Sequence, residues 1–405
     1  MSEQALSEQA LSEQALSEQA LSEGAVLDAV RAIGPQLAAK SDDIEANRTL
    51  PADVVELIKP TGAFRAWVPA ALNGPEASPW EGVQTIEEAS FHDMASGWCI
   101  AIAATSSLMS SYLPAEHAHA LFSDPNSIAG GFAAPLGRAR QVDGGLRISG
   151  TWQWGSGTQH CTTVGGGCLV VDDAGKPTRR ADGLAVPFAF FDVTDVEFLD
   201  TWYTSGLAGT GSTDYRVSDA FVPEGRWVQV GFDPPVLDNA LTGFSFYGLL
   251  ALSIAATAVG SARRSIAELI TLAQDKRPQG SSKPLRERQT VQGDVALAEA
   301  QLRSSWGFVE STMDMAWQTI LAGDPCSDDQ KRLLRLAATH ATQTASDVVD
   351  LIYKAAGGAA VYRTSQIQRC FRDINVATQH AMVAPRTYEV AGRMSLGLET
   401  DTRQL

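Results

Sequence analysis

The sequence predicts an α+β chain with an N-terminal helical domain, a middle β-barrel or sandwich, and a C-terminal four-helix bundle. Three observations carry that order. Apolar residues recur at three- and four-residue spacing up to about Phe122, the period of a helix with one buried face. From about residue 127, Gly-rich turns punctuate short alternating segments, the rhythm of an all-β unit. After Pro235 the helical period returns in four long segments whose lengths suit a bundle. Expected boundaries are 1–23, 24–126, 127–234 and 235–405.

The chain opens on four SEQAL repeats. A five-residue period turns each Ala-Leu pair by about 140° on a helix, so no apolar stripe forms. A frayed or disordered extension without catalytic role is expected there. GAVLDAVRAIGPQLAAKSDDIEANRTLP reads as a helix closed before Pro51, and PADVVELIKPTG as a short helix closed by Pro60 and Gly62. IEEASFHDMASGWCIAIAATSSLMSSYL reads as one long buried helix, and PAEHAHALF opens another with Pro114 in its first turn. The bundle segments run LLALSIAATAVGSARRSIAELITLAQ, QTVQGDVALAEAQLRSSWGFVESTMDMAWQTIL, SDDQKRLLRLAATHATQTASDVVDLIYKAAGG and SQIQRCFRDINVATQHAMVAPRTYEVAGRMSLGL.

With 405 residues, 44% of them hydrophobic, the chain can bury a large core. Its net charge of −16 argues against a nucleic-acid partner, which needs Lys and Arg on phosphates. The acidity is uneven: Arg263, Arg264, Lys276, Arg277, Lys283, Arg286 and Arg288 form a basic island. It reads either as a seat for a phosphate-bearing ligand or as a solvated face. Five cysteines without a CxxC pair fit reduced thiols. The N-terminus lacks the basic start and apolar run of a signal peptide. The longest apolar run, Tyr247 to Val259, is too short to span a bilayer. A cytoplasmic protein without a membrane partner is expected.

Familiar signatures are missing. There is no GxGxxG after a strand and no GxxxxGK[ST]. The rings of His117 and His119 diverge from a helix start, so no metal is expected. Gly155-Ser156-Gly157 has β structure on both sides, where a hydrolase elbow needs a strand-to-helix turn. What remains is a dispersed set: SGTWQWGSG, GLAGTGSTDYRVSDAFVP, the basic loop before QTVQGDVALAEA, and RCFRDINVATQH.

In this order, that set resembles the acyl-CoA dehydrogenase superfamily from about residue 25 to 398. The commonest dehydrogenase branch places its glutamate base nine residues after the Arg of an Arg-Asp motif. Here the motif is Arg372-Asp373, the ninth residue is Ala381, and Ile374 to Tyr388 contains no carboxylate. His380 stands one place earlier. That histidine, Trp152-Gln153-Trp154-Gly155-Ser156-Gly157 and Gly209-Thr210-Gly211-Ser212 resemble the reduced-flavin-dependent monooxygenases, the oxygenase halves of two-component aromatic hydroxylases.

The resemblance implies reduced FMN or FAD supplied by a separate NAD(P)H:flavin reductase, O2 as co-substrate, and a homotetramer. It implies a C4a-hydroperoxyflavin that hydroxylates a small aromatic or heteroaromatic substrate, phenol- or indole-like. Ser156 is the expected partner of flavin N5, with Trp154 walling the ring, Trp152 facing the opposite side of the strand, and the two glycines letting backbone and flavin approach. A serine bonded only to backbone and a core tryptophan are the competing readings. Thr210 and Ser212 would bond the flavin's polar edge or phosphate, and Arg277, Gln292, Gly357 and Gly358 its phosphate. His380 is the expected substrate base or orienter, against a solvated helix histidine. Trp98, Thr105 and Ser106 would line the substrate pocket, and His160 would be structural. Leu207-Ala208 replaces an Arg common in relatives, which implies a more apolar pocket. A dehydrogenase or oxidase using Glu268 as a displaced base, and a catalytically silent homologue, are the alternatives.

Overall fold

Caps and breakers set the helix limits. The computed structural model describes residues 24–180, 183–229, 233–403 and 405; the SEQAL repeats lie outside them. Helices α1 (Ala25–Asn47) and α2 (Ala52–Ile58) stand where the apolar period places them. The segment read as one long buried helix is two, α3 (Pro79–His92) and α4 (Met94–Ser107). Asp93 is the cause: its backbone is extended and its carboxylate accepts the Ser96 N–H at 2.7 Å, capping α4. Helix α5 (Ala115–Phe122) begins just after Pro114.

The strands are β1 (Ala129–Val142), β2 (Gly145–Gly155), β3 (Thr163–Val171), β4 (Arg179–Arg180), β5 (Gly183–Leu184), β6 (Phe188–Asp192), β7 (Glu197–Leu199), β8 (Thr213–Pro223) and β9 (Trp227–Val228). Seven of them form one sheet in the order β7-β8-β2-β1-β3-β6-β9, and β4 and β5 pair separately. Strands β1 and β3 are parallel; β2 lies antiparallel to β1 and β8.

Three long helices follow: α6 (Phe246–Asp275), α7 (Gln289–Leu321) and α8 (Asp328–Ala356), the last opened by a Ser327–Gln330 capping box. The expected fourth helix is broken into α9 (Gln366–Ala377), a 3₁₀ turn at Ala381–Val383, and α10 (Arg386–Ser395). Pro385 has no N–H and disfavours helical backbone before it, so Ala384 is extended at ψ 148°. Helix α6 is long and apolar enough to cross a membrane, but 78% of its apolar window is buried inside the protein, as in a core helix.

Two cores meet at the site. The first helices and the last share one, with Ile44, Trp98 and Ile100 beside Leu252, Ala338 and Ile374. The sheet keeps its own around Trp152, Phe191 and Tyr215. Leu207 belongs to the helical core and Tyr215 to the sheet core, so the turn between them straddles both.

Candidate active site

The end of β2 turns its two tryptophans apart. Strict alternation would put Trp152 and Trp154 on one face; a register shift against β8 between Trp152 and Gly155 separates them. Trp152 is fully buried, stacks on Tyr215 at 5.3 Å, and donates from Nε1 to the Gly167 carbonyl at 2.8 Å. Trp154 takes a left-handed backbone, φ 59°, and leaves its ring 57% exposed, edge-on to Phe132. A bulky residue held there stores about 1–3 kcal/mol of strain. Both glycines also have causes within the chain itself, beside the flavin approach expected of them. A Cβ on Gly155 would lie 2.7 Å from the Tyr215 ring. Gly157 is left-handed at φ 68°, and its Cβ would meet His160 at 3.0 Å.

Ser156 is buried, and it is bonded to side chains rather than to backbone alone. The indole Nε1–H of Trp98 donates to its hydroxyl at 3.0 Å. Its Oγ lies 2.7 Å from Ser212 Oγ, which lies 2.6 Å from Thr210 Oγ1. Thr210 in turn donates to the Leu207 carbonyl at 2.8 Å. The Gly157 N–H donates to the Thr210 carbonyl at 2.9 Å, tying the two turns together.

The Arg-Asp motif braces this turn. Asp373 accepts the Leu207 N–H at 2.6 Å, and Arg372 donates to the Ser205 carbonyl at 3.0 Å while pairing with Glu45. Burial pushes the Asp373 carboxyl up to about 7. The motif therefore acts on the loop that carries Thr210 and Ser212.

His380 sits in the break between α9 and α10. Its Nδ1 accepts the Met382 N–H at 3.3 Å, and its ring meets that of Trp98 edge to face at 5.7 Å. Burial, with the nearby Arg335 charge, lowers its pKa to about 4. Arg335 also donates to the Met382 carbonyl at 3.0 Å, fixing the turn. A neutral ring whose Nδ1 accepts carries its proton on Nε2. Of the other expected pocket residues, Thr105 and Ser106 are both buried at the end of α4, and the Thr105 hydroxyl donates to the Ala101 carbonyl of its own helix. His160 packs on Phe64 with ring centroids 5.6 Å apart, its pKa lowered to about 4 by burial, as suits a structural role.

The expected phosphate residues are not drawn into this cluster within one chain. Arg277, Gln292, Gly357 and Gly358 are all exposed. Arg277 donates to the Ser282 carbonyl within its own loop, and Gln292, in the first turn of α7, donates back to that of Arg286. The basic island is partly neutralised, because Arg263 pairs with Glu87 and Glu88, and Arg264 with Glu268. Glu268, the alternative base, is thus held 2.8 Å from a guanidinium on its own helix. His117 and His119 turn to different partners, the Glu224 carbonyl and the Ser123 hydroxyl.

Sequence reasoning missed three contributions. Trp98 appears there as a pocket wall, not as the donor that holds Ser156. Asp373 appears as a ruler for spacing, not as a brace. Arg335 is absent from it, although a lone arginine on the apolar stripe of RLLRLAATHA is a visible signal.

Helices, sheet and bundle in this order, with hydroxyls and an imidazole gathered around one tryptophan, define a protein of the acyl-CoA dehydrogenase fold. Residues 252–385 match the family described as acyl-CoA dehydrogenase, C-terminal domain. The chain is 32% identical over 375 residues to indole-3-acetate monooxygenase of Pseudomonas putida, covering 92% of each. It is 24% identical over 392 residues to the flavin-dependent monooxygenase, oxygenase subunit HsaA, of Mycobacterium tuberculosis, covering 92% of this chain and 96% of the other. The solved structure of XiaF from Streptomyces sp. in complex with FADH2 and glycerol superposes with a TM-score of 0.87 at 22% identity, over 95% of this chain and 98% of that one. The chain belongs to the acyl-CoA dehydrogenase superfamily, in its branch of flavin-dependent monooxygenases.

Proposed function

We propose that this chain is the oxygenase component of a two-component monooxygenase that hydroxylates a phenol- or indole-like ring. Trp98 carries the reading. Its N–H holds the serine matched to the cofactor, and its ring edge meets the histidine matched to the substrate.

The donor set suits a flat, reduced flavin. Trp154 offers an exposed ring beside Ser156, whose hydroxyl keeps an unused lone pair. Reduced FMN or FAD, delivered by a separate NAD(P)H:flavin reductase, supplies the activation of O2 when bound. Ser156 would accept a hydrogen bond from N5–H, and Trp154 would wall the ring. Arg277, Gln292, Gly357 and Gly358 would hold phosphate. Their exposure supports a homotetramer in which another copy covers them. We place the protein in the cytoplasm, where NAD(P)H feeds the reductase.

Of the two roles expected for His380, the geometry favours orienter over base. With Nδ1 occupied and the ring neutral, Nε2–H donates to an oxygen or ring substituent of the substrate. Trp98 and Ser106 would bound the substrate. Thr105 would contribute its methyl group, since its hydroxyl is spent on α4.

The test is turnover under ¹⁸O2 with a flavin reductase, NADH, and a panel of phenols, indole and indole-3-acetate. One labelled oxygen in the product is expected. Quantitative H2O2 with no labelled product across the panel would defeat the reading.

A further inference from the structure

The hydroxyls beside Ser156 have a direction, and the direction decides what that serine can do. A Ser or Thr hydroxyl has one proton to give and two lone pairs to fill. Thr210 lies 2.8 Å from the Leu207 carbonyl, a group that only accepts, so the Thr210 proton goes there. Toward Ser212 it is then an acceptor, and Ser212 donates to it across 2.6 Å. Ser212 is consequently an acceptor toward Ser156, 2.7 Å away. The Ser156 proton is thereby committed, and the Trp98 N–H fills one of its lone pairs. One lone pair remains.

The arrangement is anchored at its far end. Trp202 Nε1 also donates to the Leu207 carbonyl, at 3.1 Å, and Asp373 holds the Leu207 N–H. Reversing the chain would break the Thr210–Leu207 bond. Its terminus is an amide oxygen, which takes up no proton, so the chain holds a proton in place rather than conducting one.

We propose that Ser212 and Thr210 are positioning residues that make Ser156 an obligate acceptor, and that this polarity selects the reduced flavin over the oxidised one. Reduced flavin presents N5–H to such an acceptor, whereas oxidised flavin presents a bare N5 lone pair. The inference rests on the reading that Ser156 faces N5.

The test is equilibrium binding of FMN to the full-length protein, reduced under anaerobic conditions and oxidised in air. The readout is the ratio of the two dissociation constants, which is internal to each variant and so insensitive to a change in folded fraction. In Ser212→Ala the Ser156 proton is released to turn outward. In Thr210→Val the Ser212 proton turns back to Ser156 with the same result. Both are expected to lower the preference for reduced FMN about tenfold, one hydrogen bond's worth, mainly by tighter binding of oxidised FMN. Thr210→Ser keeps the hydroxyl and is expected to keep the preference. Ser156→Ala is expected to lose it through weaker binding of reduced FMN. If Ser156→Ala loses the preference while Ser212→Ala and Thr210→Val retain it, the polarity is overturned and the placement of Ser156 stands. If all three retain it, that placement fails and the inference goes with it.

Discussion

In the proposed reading Ser156 and Arg277 meet opposite ends of one flavin, yet the chain treats them differently. Ser156 is buried, with Trp98 and Ser212 bonded to it and a braced turn behind them. Arg277 stands on an exposed loop and bonds a carbonyl five residues away. On that reading the reactive end is already built in the single chain, whereas the proposed anchoring end would be completed by a ligand or another copy. Preorganised groups act strongly where charge and protons must be held. Phosphate anchoring can be completed late, because the long side chain of Arg277 can change rotamer to bring its guanidinium fork to the anion.

Several substitutions would break or sharpen that contrast. His380→Ala strikes the prebuilt end. Labelled product is expected to fall about 100-fold while FMN binding is unchanged, measured by turnover under ¹⁸O2 and by titration; a matching loss of flavin binding would mean that the two ends are not separable. Arg277→Ala strikes the loose end. Both redox states of FMN are expected to bind about tenfold more weakly, with the ratio between them intact. A changed ratio would place Arg277 near the ring.

The pH profile comes next. The lowered pKa of His380, about 4, keeps its ring neutral in the folded protein throughout the neutral range. Product formation should therefore show no limb near pH 6.5, the ordinary value for histidine. The burial also has a stability consequence. The unfolded ring binds a proton as pH falls below its ordinary value while the folded ring does not, so stability declines from about pH 6.5 towards 4.

Asp373 has the opposite slope and the smallest expected effect. Its pKa is raised to about 7, so the neutral form is favoured in the fold, and stability is lost as pH rises from the ordinary carboxylate range through 7. Asp373→Asn keeps an oxygen for the Leu207 N–H and removes that slope. Its melting temperature should exceed the wild-type value by about 3 °C at pH 8 and by less at pH 5. An equal offset at both values would show that Asp373 does not titrate there.

Much of this was legible in the chain, and the failures have identifiable causes. Apolar period and turn spacing gave the helix, sheet and bundle order, because burial of one face imposes those periods directly. Ser156 and His380 were legible as motif positions. The break at Asp93 was not, because whether an aspartate caps a helix depends on which N–H it finds. Pro385 was in plain view, yet the apolar period runs through it and masks the stop. The parting of Trp152 and Trp154 was expected, but its cause was not legible: alternation alone keeps residues two apart on one face, and the register shift against β8 is what separates them. The bond from Trp98 to Ser156 joins residues 58 apart in sequence, and Arg335 reaches 47 residues forward to the turn beside His380. Pairings at such separations are products of the packed fold.

The central claim is that Ser156 meets the flavin at N5. It is most directly tested by ¹⁵N NMR of reduced FMN labelled at N5 and bound anaerobically to the wild-type protein and to Ser156→Ala. A slowly exchanging N5–H with a hydrogen-bonded shift is expected in the wild type, and both features are expected to be lost in the variant. Identical N5 spectra in the two proteins would contradict it.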